Sequence, residues 1–119
     1  MNNVDKNAKT KYGSTALHFA LKRGFLEICK ILLDYKLDVN STDSSGLTTL
    51  HIAARDGCLE ICKILIGFGA DKTLLCNNGK NPLKLAAEKQ QFKVVFFLLE
   101  NIPKEIWIQE KKMNVILDM

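Results

Sequence analysis

The chain is short of arginine and of long apolar runs. Of its 17 basic residues, only Arg23 and Arg55 are arginine. Base-edge recognition depends on bidentate arginine, so this balance argues against a sequence-specific nucleic-acid reader. The longest purely apolar run covers residues 94–99, far too short to cross a bilayer. Residues 1–10 are mostly polar and carry no secretion signal, which predicts a cytoplasmic or nuclear location.

Motifs for catalysis and for metal binding are also missing. The sequence holds no Gly-rich phosphate loop, no Gly-x-Ser-x-Gly elbow and no Cys-x-x-Cys among its four cysteines. Cys29 and Cys62 each lie in an Ile-Cys-Lys-Ile setting that is typical of an apolar helix position. We therefore expect reduced structural cysteines, no metal, no cofactor and no enzyme activity.

What the chain does have is a repeat of 33 residues. Gly13, Gly46 and Gly79 are evenly spaced, and residues 8–40 and 41–73 share 14 identities. A period of this length indicates stacked supersecondary units rather than one closed core. Such a stack offers a long surface, which favours binding over catalysis.

Each unit contains the signals of two helices. Thr15, Thr48 and Asn81 are residue types that cap a helix start, and Gly24 and Gly57 suit a left-handed stop. Apolar spacing predicts a second helix over 26–34, 59–67 and 92–99.

The units resemble ankyrin repeats, since the signature Gly-x-Thr-Pro-Leu-His-x-Ala is matched by residues 13–20 and 46–53. The third copy, 79–86, keeps Pro82 but has Lys84 in place of the histidine. The resemblance implies an all-α solenoid of helix–turn–helix units joined by β-hairpin-like loops. We divide the single domain 1–119 into repeats at 8–40, 41–73 and 74–101 and a tail at 102–119.

His18 and His51 lie one full repeat apart. A metal site needs more converging ligands than these two. The resemblance implies instead that each imidazole bonds to backbone and threonine groups and holds neighbouring loops together.

Ankyrin repeats typically bind proteins through loop tips and the exposed side of the first helices. The matching positions vary between copies while the scaffold positions repeat, as a binding surface on a constant frame would. Tyr12 and Leu47 are the expected anchors, and Lys22, Arg23 and Arg55 could attract an acidic partner. The candidate set is Lys11, Tyr12, Ser14, Lys22, Arg23, Ser44, Ser45, Leu47, Arg55, Asp56, Asn77, Asn78, Lys80, Glu88 and Lys89.

The two ends of the stack differ in polarity. Lys22, Arg23 and a polar leader predict a polar N-terminal edge, whereas residues 94–99 are apolar all round, which predicts burial on every side. The tail 102–119 would then be a capping element, a partner-binding segment or the cut edge of a longer chain.

The leading functional hypothesis is a monomeric scaffold that binds another protein, with no membrane role. The alternative is an accessory targeting or regulatory segment of a larger enzyme or carrier. Direct nucleic-acid binding is the weakest hypothesis. The net charge of +4 fits either a solvated lysine-rich surface or attraction to acidic partners.

Overall fold

The computed structural model describes residues 15–35 and 37–100, which form three helix–turn–helix units without a strand. The helices are α1 (Ala16–Lys22), α2 (Leu26–Asp34), α3 (Thr49–Asp56), α4 (Leu59–Gly67), α5 (Pro82–Glu88) and α6 (Phe92–Glu100). Within this described part, every helix is too short to cross a membrane. The expected all-α fold class is confirmed, as are the predicted bounds of α2 and α4.

The first helix of each unit begins at the predicted cap. The side chains of Thr15, Thr48 and Asn81 each accept a hydrogen bond from the backbone amide three residues on, at 3.4, 3.2 and 2.8 Å. These bonds satisfy amides that the helix itself cannot pair. At Asn81 the next residue is Pro82, which lacks an amide hydrogen and fits the first helical position.

The turn inside each unit passes through one left-handed residue. Gly24 and Gly57 have φ of 73° and 77°, and Gln90 takes the same place in the third unit with φ 58°. The next amide donates back to a first-helix carbonyl at 2.9 to 3.0 Å in all three units. The turn is therefore conserved in geometry even where glycine is replaced, at a cost in backbone strain.

Repeated apolar positions form one core that runs through the three units. α3 packs between α1 and α5, so its Leu50, Ile52 and Ala53 are completely buried. The core holds Leu17, Leu50, Leu83, Ala20, Ala53, Ala86, Cys29, Cys62 and Val95, each at equivalent places in successive units. The prediction that Cys29 and Cys62 pack as small apolar residues is confirmed.

Asn40 and Gln91 are among the side chains that bond to the backbone of a neighbouring unit. Asn40 Oδ1 accepts a hydrogen bond from the Asp71 amide at 2.8 Å, and Gln91 Nε2 donates to the Arg55 carbonyl at 2.9 Å. Both bridges join residues more than 30 positions apart in sequence. They fix the orientation of one unit on the next in addition to the apolar contacts.

The prediction that α6 is buried on every side is wrong. Val94, Val95 and Leu98 are buried, but Phe96 is 64% exposed. Phe96 occupies the position of the exposed Lys30 and Lys63, and this position points outward in every unit. The tail 102–119, which was expected to cover it, lies outside the described residues.

The expected polar N-terminal edge rests on Lys22, Arg23 and a leader that lies outside the described residues. Lys22 and Arg23 are exposed as expected, but so are the large apolar side chains of Phe19, Ile28 and Ile31. No described unit precedes α1 and α2, so side chains that would meet a neighbour lie open.

Because Gln90 is held in a left-handed conformation in the turn of the third unit, we expect glycine at this position to stabilise the fold. We expect Gln90→Gly to raise the free energy of unfolding by about 0.5–1 kcal/mol, because relief of left-handed strain exceeds the entropy cost of glycine. Lys89→Gly is the matched control, since Lys89 is exposed and has an ordinary φ of −96°. That change should destabilise, and urea unfolding of both variants measures the difference. Destabilisation by both would contradict the strain argument.

Candidate protein-binding surface

The loop of the second unit is a turn organised by Asp43. Its carboxylate oxygen Oδ1 accepts from the amides of Ser45 and Leu47 at 2.9 and 3.0 Å, and its own amide donates to the Leu47 carbonyl at 3.0 Å. Ser44 and Ser45 lie exposed at the tip. These bonds give a polar loop a defined shape without a large core of its own.

The loop of the third unit is bonded to the loop before it. The Asn77 amide donates to the Ser45 carbonyl, and Asn77 Nδ2 donates to the Ser44 carbonyl, both at 3.0 Å. Gly46 lies directly against Asn77: a Cβ added to Gly46 would lie 2.8 Å from the backbone nitrogen of Asn77. The two tips therefore form one connected edge, which leaves Asn78 as the exposed amide side chain that is not used in the connection.

In the third unit the loop and the end of the first helix share one surface. Lys80 Nζ forms an ion pair with Glu88 Oε1 at 2.9 Å, which joins the third loop to the end of α5. At the end of α3, Arg55 Nε pairs with Asp56 Oδ1 at 3.0 Å. The predicted loop and helix positions are thus brought together in the third unit by a direct contact.

The first unit contributes an exposed aromatic residue that the sequence reasoning missed. The Arg23 guanidinium lies 5.1 Å from the centre of the Phe19 ring, and both side chains are exposed. Phe19 is equivalent to the buried Ile52, so its apolar character alone indicated core. The signal that could have identified it is its place in the first unit, where no described neighbour covers it.

The charge on this surface is positive. Its helix ends and third loop carry five basic residues and two acidic ones, a net of +3. Both acidic residues, Asp56 and Glu88, are already paired with a basic neighbour. The surplus lies on Lys22, Arg23 and Lys89, which are exposed.

The two expected anchors have different outcomes. Leu47 is half-buried and packs against the core, so it does not stand out from the loop as an anchor would. Tyr12 lies outside the described residues, as do Lys11 and Ser14.

The two histidines connect units in the same way. Each Nδ1 lies against the Thr15 or Thr48 hydroxyl, at 2.9 and 2.8 Å, and accepts from that residue's amide. His18 Nε2 is 3.0 Å from the Leu47 carbonyl, and His51 Nε2 is 2.9 Å from the Lys80 carbonyl. A carbonyl can only accept, so Nε2 carries the proton and the imidazole is neutral. The structural role implied by the resemblance is confirmed.

Burial lowers the pKa of His51, because a charged imidazole would lose its hydration inside the stack. The hydrogen bond to the Lys80 carbonyl opposes this shift but does not reverse it. Protonation of Nδ1 would also remove the acceptor that the Thr48 amide uses. The fold therefore depends on the neutral form of this side chain.

Burial favours the protonated form of three cysteine thiols. Burial raises the pKa of Cys29 and Cys58, and raises the pKa of Cys62 to about 12, so these thiols are protonated at neutral pH. Across residues 15–35 and 37–100, metal-ligating side chains do not gather into any group of three or more. A shallow cavity of about 490 Å³ lies among Leu33, Asp34, Leu37 and Phe68 and includes none of the described candidate residues.

Loss of the imidazole bridge should destabilise the whole stack. We expect His51→Ala to lower the free energy of unfolding by about 2–4 kcal/mol, because the Lys80 carbonyl and the Thr48 amide lose their buried partner. Lys84→Ala is the matched control at the same repeat position and should change stability by less than about 0.5 kcal/mol. Chemical denaturation measures the free energy of unfolding of both variants. An equal loss in the two variants would argue against the imidazole bridge.

The lowered pKa of His51 predicts acid sensitivity above the range of carboxylate titration. The unfolded chain binds a proton near the ordinary pKa of 6.5, whereas the folded chain binds it only at lower pH. Stability is therefore full above pH 6.5 and falls as the pH decreases from there towards the folded pKa. Unfolding curves at stepwise lower pH should show a smaller loss for His51→Ala than for the original chain; parallel losses would contradict this assignment.

Comparison with known proteins agrees with this geometry. A family model described as ankyrin repeats (3 copies) matches residues 1–75 and 37–110, which together reach most of the chain. No significant match was found among curated proteins. Ankyrin repeats are in general protein–protein interaction modules and are typically not catalytic. With three capped helix pairs in register and a family match over both overlapping segments, the chain belongs to the ankyrin-repeat family.

Proposed function

We propose that this chain is a scaffold that binds a protein partner through its loop tips and first-helix ends, without catalysis of its own. The observation that carries the proposal is the division between repeated and varied positions. Repeated residues such as Leu50, His51 and Ala53 are fully buried. Varied ones such as Ser45 and Asn78 are exposed on one connected edge.

The charge of this surface favours an acidic partner. Lys22, Arg23 and Lys89 are exposed on it, while Arg55 and Lys80 are held by neighbouring carboxylates. Positive charge of this kind mainly speeds association with a negatively charged surface. A cytoplasmic or nuclear location is part of the proposal, supported by four cysteines that all remain free thiols.

The surface is suited to binding because it is already ordered. Asp43 shapes the second loop, Asn77 ties the third loop to it, and the Lys80–Glu88 pair joins loop to helix. A preorganised surface pays less ordering entropy when the partner arrives. The partner would meet a rigid polar edge with a basic end rather than an enclosed pocket.

The test compares two triple charge reversals with the same change in net charge. Lys22→Glu, Arg23→Glu and Arg55→Glu alter the proposed surface, whereas Lys30→Glu, Lys63→Glu and Lys93→Glu alter exposed positions on the second helices. Tagged chains would capture partners from the native cell, with quantification by mass spectrometry. We expect the triple variant of Lys22, Arg23 and Arg55 to capture less of the partner, and the second-helix variant to capture as much as the original chain.

Kinetics with the recovered partner then test the electrostatic part of the proposal. The surface triple should associate on the order of tenfold more slowly at low salt and show a flatter salt dependence. The second-helix triple should behave like the original chain. Equal losses in both triples would contradict a role for the loop and first-helix surface.

A further inference from the structure

Asn78 differs from the other asparagines in the part of the chain that the structure describes. Its side chain is exposed at the tip of the third loop and makes no hydrogen bond to any described residue. It also precedes Gly79, and this is the single Asn-Gly pair in the sequence. An unbonded side-chain amide and a following residue without a Cβ are the two conditions that favour reaction of an asparagine with its own main chain.

The other described asparagines lack one or both conditions. Asn40 Oδ1 accepts from the Asp71 amide at 2.8 Å, and Asn77 Nδ2 donates to the Ser44 carbonyl at 3.0 Å. Each of these two asparagines is also followed by a residue with a side chain, which crowds the reacting amide. Asn81 caps α5 and precedes a proline, whose nitrogen carries no hydrogen and cannot be the nucleophile.

We propose that Asn78 is a site of spontaneous deamidation, with water as the only co-reactant. The main-chain nitrogen of Gly79 loses its proton to hydroxide and attacks the side-chain carbonyl carbon of Asn78. A new C–N bond closes a succinimide ring, the bond to the side-chain nitrogen breaks, and that nitrogen leaves as ammonia after taking a proton from water. Water then opens the ring at either carbonyl, which yields aspartate or isoaspartate without oxidation or reduction.

The turn around Gly79 holds the reacting amide but encloses it loosely. The Gly79 amide donates to the Cys76 carbonyl at 2.8 Å, so this bond must open before the nitrogen can attack. A Cβ added to Gly79 would meet no described atom within 4 Å, whereas one added to Gly46 would lie against Asn77. A turn with few contacts opens locally at low free energy. We therefore expect the reaction in the folded chain, at a lower rate than in the unfolded chain.

Deamidation changes both the charge and the backbone of the loop. Each product replaces a neutral amide with a carboxylate, which lowers the net charge of +4 by one unit. Isoaspartate also adds a methylene to the main chain between Cys76 and Lys80, whose amide and carbonyl are bonded at 2.9 Å. The Lys80 carbonyl is also the group to which His51 Nε2 donates. The lengthened loop therefore disturbs the imidazole bridge behind it.

The same change acts on the surface proposed above to bind a partner. A carboxylate at the tip of the third loop repels a negatively charged partner and slows its association. This consequence rests on the proposed function, whereas the reaction itself does not.

Ageing of the full chain in mildly alkaline buffer tests the proposal. Trypsin cuts after Lys72 and Lys80 and releases one peptide that holds both Asn77 and Asn78. Fragmentation mass spectrometry assigns the mass gain to one of the two asparagines, and an isoaspartyl methyltransferase labels the isoaspartate form. We expect Asn78 to react at least about tenfold faster than Asn77, because only Asn78 is followed by a glycine. The rate should rise with pH, since the attacking amide must lose its proton.

Two variants separate the reaction from its consequences. Asn78→Gln keeps an exposed amide but would have to close a larger ring, so the label on this peptide should disappear. Fresh Asn78→Asp carries the charge without the lengthened backbone and should unfold at nearly the same urea concentration as the original chain. The aged chain should unfold at a lower urea concentration than fresh Asn78→Asp, because isoaspartate disturbs the bond between His51 and the Lys80 carbonyl.

Three outcomes would count against these expectations. An unmodified Asn78 in the folded chain, after a time that modifies it in urea, would overturn the proposal. Equal reaction of Asn77 and Asn78 would overturn the structural reason for it. An aged chain that contains isoaspartate and unfolds like fresh Asn78→Asp would overturn the link between the loop tip and the imidazole bridge. None of these measurements uses a partner, so their failure is distinct from failure of the proposed function.

Discussion

The buried imidazole of the first helix joins local and long-range structure in a single side chain. His51 accepts from the amide of its own cap residue Thr48 and donates to the carbonyl of Lys80, 29 residues further on. Helix start and neighbouring loop are therefore fixed together. His18 makes the same connection to Leu47. Because a buried carbonyl without a donor costs the full desolvation of that group, the position of each loop depends on a neutral imidazole behind it.

The third unit shows what remains when this bridge is absent. Asn81 caps α5 directly and Lys84 replaces the histidine, so no imidazole reaches forward from this unit. Its loop is instead held from behind by His51 and across the surface by Lys80 and Glu88. The second and third loops are joined by the hydrogen bonds of Asn77 to the Ser44 and Ser45 carbonyls. Any partner that uses this edge meets a surface whose shape is set before binding.

Local sequence predicted local structure well. The caps at Thr15, Thr48 and Asn81 and the bounds of α2 and α4 follow from residue chemistry within a few positions. Burial was harder to predict, because it depends on what packs against a helix in space. The apolar run 94–99 predicts burial of every side chain in it, Phe96 included. Composition alone does not tell which side of the helix faces the core. Leu47 likewise varies between units as a contact residue would, yet its side chain packs against the core.

Ile28 and Ile61 show most clearly the difference between what the sequence determines and what tertiary packing determines. Both lie in the heptapeptide Leu-Glu-Ile-Cys-Lys-Ile-Leu, and both belong to a helix that begins two residues earlier. The sequence by itself determined the repeat, the helices, their caps and the family, since these follow from hydrogen bonds and side-chain spacing within one unit. Only the tertiary structure decided that Ile28 is 45% exposed and Ile61 is 6% exposed. The reason is physical: burial depends on the surfaces that meet a side chain, and a described unit precedes the unit of α4 but not that of α2.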